Sequence, residues 1–290
     1  MRLFKAAGLQ SHKDNPLLHI QRAERLVKYR LIAVDMDGTL LNSRNQVSRR
    51  TVLALREASR RGVIVIIATG RPVQGIESCA TLLEIELPLI AYNGGMIFEK
   101  YNTEAIFESC LTKKSAKRVI DFGMEHNSSI CVWSNHMLYV FEINENVNRY
   151  AERFGIAPIE ILDKNLLINQ GITKILWSLD NKAVHSFERQ LKEYFDEELA
   201  ICVTGLNYLE VFDRNVSKGN ALEFLGNHFG ILPSEMIAIG DSYNDASMIE
   251  YAGLGVSMRN SPKELKSISN YITESNDNHG VAVAVEKFVL

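Results

Sequence analysis

Residues Leu31-Ile32-Ala33-Val34 run without a break into Asp35-Met36-Asp37-Gly38-Thr39-Leu40-Leu41. An apolar, partly β-branched run this short, bounded by a glycine and lacking an i, i+3/i+4 pattern, folds as a buried strand. Side chains alternate along a strand, so Asp35 and Asp37 are expected on one side, leaning toward one point where Gly38 lets the chain turn. Two carboxylates at the rim of a buried strand repel and resist desolvation, which calls for a cation or a proton beside them. Asp-x-Asp-Gly is also good turn chemistry, so on this segment alone a plain strand exit stays open.

The same design recurs downstream. Ser48 to Arg61 reads as a surface helix with one buried stripe, closed by Gly62. Val63-Ile64-Val65-Ile66-Ile67-Ala68 is a continuous run of the kind covered on both faces, ending at Thr69-Gly70-Arg71-Pro72. A helix from Val73 to Leu83 and a strand from Leu87 to Tyr92 follow, the strand ending at Asn93-Gly94-Gly95. Past Asp213 the pattern returns: Lys218 opens a helix, and Met236-Ile237-Ala238-Ile239 ends at Gly240-Asp241-Ser242-Tyr243-Asn244-Asp245. Strands alternating with helices predict an α/β fold, a doubly wound, mostly parallel Rossmann-like sheet. The intervening stretch reads differently, as helices interleaved with antiparallel hairpins (129–143 and 199–212), an α+β unit inserted into the α/β chain.

The boundaries expected are an N-terminal extension at 1–29, a core formed by 30–110 with 215–290, and the insert at 111–214. The extension fails as a secretory signal or a membrane span, because charge returns at His12-Lys13-Asp14 before any long apolar run. A short amphipathic helix from Leu18 to Lys28 is expected within it. A net charge of -3 offers no basic face to nucleic acid or an anionic membrane. Cys79, Cys110, Cys131 and Cys202 form no Cys-x-x-Cys pair, so reduced thiols and a cytoplasmic setting are the expectation.

In an open parallel sheet the carboxyl ends of the strands lie along one edge, and ligands bind in the crevice there. That rule gathers Asp35, Asp37, Thr69, Arg71, Asp241 and Asp245 into one cleft. Lys218 joins them from a helix N-terminus, whose free amides attract anions. A few carboxylates suit Mg²⁺, usually shared with a phosphate. A lysine, a hydroxyl and free N–H groups suit phosphoryl oxygens. Phosphoryl transfer with Mg²⁺ is the chemistry implied. Individually, Thr69 could simply cap a helix, Asn93-Gly94-Gly95 could be turn chemistry, and Trp133 and Trp177 read as core of the insert.

In their order and spacing, Asp-Met-Asp-Gly-Thr-Leu, the strand into Thr69, Lys218 and Gly-Asp-Ser-Tyr-Asn-Asp resemble the four motifs of the haloacid dehalogenase superfamily. Ala-Thr-Gly-Arg, Tyr-Asn-Gly-Gly and Ser-Lys-Gly-Asn-Ala-Leu extend the resemblance to its Cof-type phosphatases, from about Arg30 to Leu290. The resemblance implies that Asp35 is a nucleophile bound to Mg²⁺ and Asp37 a general acid and base whose backbone carbonyl also meets the ion. It implies that Thr69 and Lys218 hold phosphoryl oxygens, that Asp241 ligates the metal, and that Asp245 does so directly or through water. Arg71 and Asn244 would lie near the substrate, and the insert would be a cap selecting the leaving group. The substrate would be a small phosphate ester: a sugar phosphate first, with flavin mononucleotide and pyridoxal phosphate also candidates. A monomer or weak homodimer is expected. A phosphomutase, or a non-catalytic phosphometabolite sensor, is the alternative. Ser257-Met258-Arg259-Asn260-Ser261 departs from the family's usual Met-x-Asn-Ala, which affects packing rather than catalysis.

Overall fold

The computed structural model describes residues 28–290 other than 85–86, 101–102, 127, 180–183, 196–197 and 205–206. The helix expected from Leu18 to Lys28 lies outside them except for Lys28, and Gly205, around which a hairpin was expected, lies outside them too. Tyr29, assigned to the extension, is buried in the main hydrophobic cluster.

Strands β1 (Leu31–Asp35), β2 (Ile64–Ala68), β3 (Leu89–Ala91), β4 (Met96–Phe98) and β5 (Ala105–Glu108) come first in the chain. β6 (Ser129–Ser134), β7 (Met137–Val140), β8 (Ile159–Glu160), β9 (Lys174–Ser178), β10 (Leu199–Thr204) and β11 (Tyr208–Asp213) form a separate sheet. β12 (Met236–Gly240), β13 (Leu254–Ser257) and β14 (Tyr271–Ile272) then rejoin the first. The first sheet runs β14-β13-β12-β1-β2-β3-β4-β5. It is parallel from β14 to β3, and β4 and β5 add to it antiparallel. All five residues of β1 are buried, as a central strand covered on both faces requires. The connections wind outward from β1 in both directions, so the crevice at its carboxyl end is the place for a ligand.

β4 and β5 were not anticipated. Met96-Ile97-Phe98 is too short to carry an alternation signal, and it exists because the turn at Tyr92–Gly94 folds it back on β3. Tyr92 and Asn93 both take left-handed backbone, with φ of 51° and 58°, and Gly94 has φ of 107°. A Cβ on Gly94 would also collide with the Ser217 carbonyl. This turn therefore abuts the start of the Lys218–Phe229 helix, whose cap is the Ser217 hydroxyl accepting from Asn220 N–H at 3.0 Å. Gly94→Ala combines a strained φ with a backbone clash and should cost about 2–3 kcal/mol in urea unfolding. A loss below 0.5 kcal/mol would contradict this packing.

The helix expected from Val73 to Leu83 is broken in two, a 3-10 turn at Val73–Gly75 and an α-helix at Glu77–Leu83. Phe154, from the Glu145–Phe154 helix under the second sheet, packs where a Cβ on Gly75 would stand. The second sheet runs β10-β11-β9-β6-β7-β8 and is antiparallel save for β7 with β8. β8 and the Lys164–Gln170 helix are too short for sequence periodicity to reveal. Trp133 and Trp177 are fully buried, Trp133 donating to the Tyr150 hydroxyl at 3.1 Å and Trp177 stacking on Phe122. The two sheets meet through Tyr92 edge-on to Trp133, ring centroids 5.6 Å apart, and through Gln74 Nε2 donating to the His136 carbonyl at 2.7 Å. Among the described residues no helix is long and apolar enough to cross a membrane.

Candidate active site

β1, β2 and β12 end side by side, and their last residues with the loops beyond supply the site. Asp35 closes β1 and is buried. Lys218, fully buried at the first turn of its helix, donates to Asp35 Oδ1 at 2.5 Å and to Asp245 Oδ1 at 2.6 Å. Asp245 Oδ2 accepts from the backbone N–H groups of Asp241 and Ser242, each at 2.9 Å, which fixes the loop after β12. Asp241 accepts from the Thr39 hydroxyl at 2.8 Å, and the Asn260 amide bridges Gly38 O at 2.9 Å and Asp241 Oδ2 at 3.4 Å. Gly38, at φ of 79°, presses against Asp241 so closely that any side chain there would collide with its carboxylate. Met258-Arg259-Asn260 keeps the Met-x-Asn of the family pattern, and the departure is Ser261 in place of Ala, whose buried hydroxyl reaches the Gly240 carbonyl at 3.5 Å.

Charge in this cluster is out of balance. Ligand atoms of Asp35, Asp241 and Asp245 lie within 4.8 Å of one another, against the single ammonium of Lys218. Burial first, then repulsion from Asp245, pushes Asp35 well above the usual carboxylate range. The same two causes push Asp241 up to about 6. Lys218 is held above its ordinary value because Asp245 and Asp35 outweigh the burial that would lower it. Three hard oxygen donors with surplus negative charge suit a divalent cation, so this cluster could hold one.

Asp37 does not join the cluster. β1 stops at Asp35, and the backbone curls through Gly38 so that Leu40 and Leu41 N–H groups return to the Asp35 and Met36 carbonyls. Strand alternation therefore does not extend to Asp37. Its carboxylate meets Arg71 instead, through Nε at 2.7 Å and an Nη at 2.5 Å, with Arg153 at 3.7 Å. Burial alone would raise Asp37, but the Arg71 hydrogen bonds and charge hold it below the carboxylate range. Asp35 and Asp37 still share one cavity, of about 270 Å³, with Thr69, Gly70, Arg71, Asp241 and Asn244 on the first-sheet side.

The Thr69 hydroxyl accepts from Arg71 N–H at 3.1 Å, so it braces its own turn while lying at the cavity wall. Asn244 Nδ2 donates to Asn93 Oδ1 at 2.9 Å, and Asn93 N–H donates to the Thr69 carbonyl at 2.9 Å. Asn93 is thus both turn residue and brace. The Glu145–Phe154 helix roofs the cavity with Tyr150, Arg153 and Phe154, and the second sheet with Lys174, Tyr208 and Glu210. None of these six was singled out from sequence. A signal existed for Glu210: it sits at i±2 between Tyr208 and Phe212, so its face of the strand points inward.

A family model described as haloacid dehalogenase-like hydrolase matches residues 32–285. Phosphatase YwpJ of Bacillus subtilis is 32% identical over 282 residues, covering 87% of this chain and 97% of its own. The 5-amino-6-(5-phospho-D-ribitylamino)uracil phosphatase YwtE of the same organism is 30% identical over 283 residues, covering 89% and 97%. Among solved structures, a haloacid dehalogenase-like hydrolase from Bacteroides thetaiotaomicron matches with a TM-score of 0.80 and 30% identity, over 89% of this chain and 99% of that one. The chain belongs to the haloacid dehalogenase-like hydrolases. Within them it is a phosphatase.

Proposed function

We propose that this enzyme hydrolyses small phosphate monoesters with Mg²⁺, through a phosphorylated Asp35. The observation that carries the reading is the meeting of Asp35, Lys218 and the Asp241/Asp245 pair, with Asp35 and Asp241 at the wall of one roofed cavity and Lys218 and Asp245 buried directly behind them. Asp35 Oδ attacks phosphorus while the bond to the leaving oxygen breaks, and Asp37 gives that oxygen its proton. A water then attacks the aspartyl-phosphate, Asp37 takes the water's proton, and the bond to Asp35 breaks to release phosphate. Thr69 and Lys218 bind the phosphoryl oxygens. Arg71 clamps Asp37 as a carboxylate, so Asp37 serves as an acid only once Arg71 exchanges it for the phosphoryl group, a swap its five N–H donors permit. Asp35, Asp241, the Asp37 backbone carbonyl and Asp245, directly or through a water, would hold the ion. When bound, Mg²⁺ would offset the carboxylates and draw charge from the transferring group. Asn244 sits with Arg71 on the substrate side.

Residues 111–214 act as a lid over the core of 30–110 and 215–290, excluding water and choosing the leaving group. Sugar and polyol phosphates head the candidates, ahead of flavin mononucleotide and pyridoxal phosphate. YwtE's ribityl phosphate substrate supports that order. The test is phosphate release from a panel of phosphorylated metabolites, with Mg²⁺ and with chelator. Mg²⁺-dependent release is expected, and the best kcat/KM ranks the substrates. Tight binding without release would turn the reading toward a mutase or a sensor.

The ion also has a readout apart from turnover. At one hundred times its Kd, a bound cation stabilises the folded state by about 2.7 kcal/mol, raising Tm by roughly 5 °C for a chain of this size. Asp241→Asn should flatten that response in thermal unfolding with and without Mg²⁺. A Tm indifferent to Mg²⁺ in the unaltered protein would remove the cation from this cluster.

A further inference from the structure

We propose that the buried pair Lys174–Glu210, on the second sheet, positions the phosphoryl-binding loop and the Asn93–Asn244 brace, so that turnover depends on this pair. Lys174 opens β9 and Glu210 lies in neighbouring β11, on the same face of the sheet. Their side chains are 1% and 6% exposed, with Lys174 Nζ 2.8 Å from Glu210 Oε1. Each also reaches across to the first-sheet side. Lys174 Nζ donates to the Gly70 carbonyl at 3.3 Å, in the middle of the Thr69-Gly70-Arg71 loop. Glu210 Oε2 accepts from Asn93 Nδ2 at 3.3 Å, and the other end of that amide holds Asn244. Two side chains of the roof thus grip the Thr69-Gly70-Arg71 loop, which lines the cavity, and the Asn93 turn behind it, which holds the cavity-lining Asn244.

Packing does not require this pair. Apart from Gly70 and Asn93 it packs on apolar groups: Lys174 Nζ lies over the rings of Tyr92 and Phe212, and Glu210 stands opposite Leu176. A buried ion pair is commonly no more stable than apolar residues of equal volume, because desolvation cancels the attraction. An apolar pair, however, could hold neither the Gly70 carbonyl nor the Asn93 amide. Gly70 lines the cavity between Thr69 and Arg71, and Asn93 stands behind it holding Asn244, so the orientation of these two groups decides where Arg71, Thr69 and Asn244 point. Lys174 and Glu210 act through these neighbours, as positioning residues.

The experiment compares wild type with Lys174→Met/Glu210→Met in the full chain, reading phosphate release, kcat and KM separately, and Tm. The double variant should fold with an unchanged or higher Tm, keep KM within about threefold, and lose at least tenfold in kcat. A purely structural role would leave kcat intact once stability is restored. A stable double variant working within twofold of wild type overturns the proposal. Should the double variant not fold, Glu210→Gln decides. It keeps the shape and an acceptor for Lys174 but cannot also accept from Asn93, so kcat should fall about tenfold at nearly constant Tm. A twofold change or less there overturns the proposal as well. The inference rests on the hydrolytic reading. A wild type that releases no phosphate sinks that reading, whereas an active wild type beside an equally active double variant sinks only the role of the pair.

Discussion

Asp35→Asn should abolish phosphate release, by about a thousandfold or more, in a protein that still folds. Asparagine matches the shape of Asp35 and still offers an oxygen to Lys218, which lies 2.5 Å away. It carries no anionic oxygen to attack phosphorus, and no neighbour can replace it. Asp37 is held by Arg71 outside the cluster, Asp245 has both oxygens engaged, by Lys218 and by loop amides, and Asp241 has both turned to Thr39 and Asn260. Because the substitution removes one of three crowded carboxylates, Mg²⁺-free stability should stay level or rise. A folded Asp35→Asn protein releasing phosphate at a tenth of the normal rate would end the assignment of Asp35 as nucleophile. Rapid-quench labelling with a ³²P-phosphorylated substrate gives the positive counterpart, a labelled protein in wild type and none in the variant.

Lys218→Met should be the most damaging change to the fold among the site residues, costing about 3–5 kcal/mol. Its ammonium is fully buried and is the partner of two buried carboxylates. Without it, Asp35, Asp241 and Asp245 stand together without that ammonium, and burial and repulsion already raise Asp35 and Asp241 with Lys218 in place. Urea unfolding would show the loss, and added Mg²⁺ should restore part of it by supplying positive charge. Asp35→Asn added to Lys218→Met should recover stability beyond the sum of the single effects, since the two side chains share one ion pair. Equal stability for Lys218→Met and wild type would mean that the cluster is already neutralised by protons.

Much of the core was legible because its strands are buried on both faces and so announce themselves as apolar runs, each broken by polar residues where it ends. Asp35, Thr69 and Asp241 follow from that pattern and from the rule that strand ends share an edge. Asp37 shows the limit of the pattern. Alternation holds only while the strand lasts, and the sequence does not say that β1 stops at Asp35. Thr39 is invisible for another reason: it touches Asp241, 202 positions away, and contact over such a separation is set by topology. Lys174 and Glu210 were overlooked because a lone charge in a strand ordinarily marks the solvent face. The aromatic neighbours at i±2 of Glu210 argued otherwise. Short pieces such as β4, β8 and the Lys164–Gln170 helix exist only because longer elements hold them.

The second sheet leaves and rejoins the first at one corner, where Ser109 N–H meets the Gly95 carbonyl and Gly94 lies against Ser217. Such a corner invites exchange: one insert could be cut out and another grafted in, changing the ester accepted while the reacting groups stay where they are. Lys174 and Glu210 set a condition on the graft. A replacement roof must bring a cation to Gly70 and an acceptor to Asn93, or the loops beneath it lose their grip. The boundary of the transplantable unit therefore runs inside the insert, through β9 and β11, and a chimera should keep those two strands from this parent.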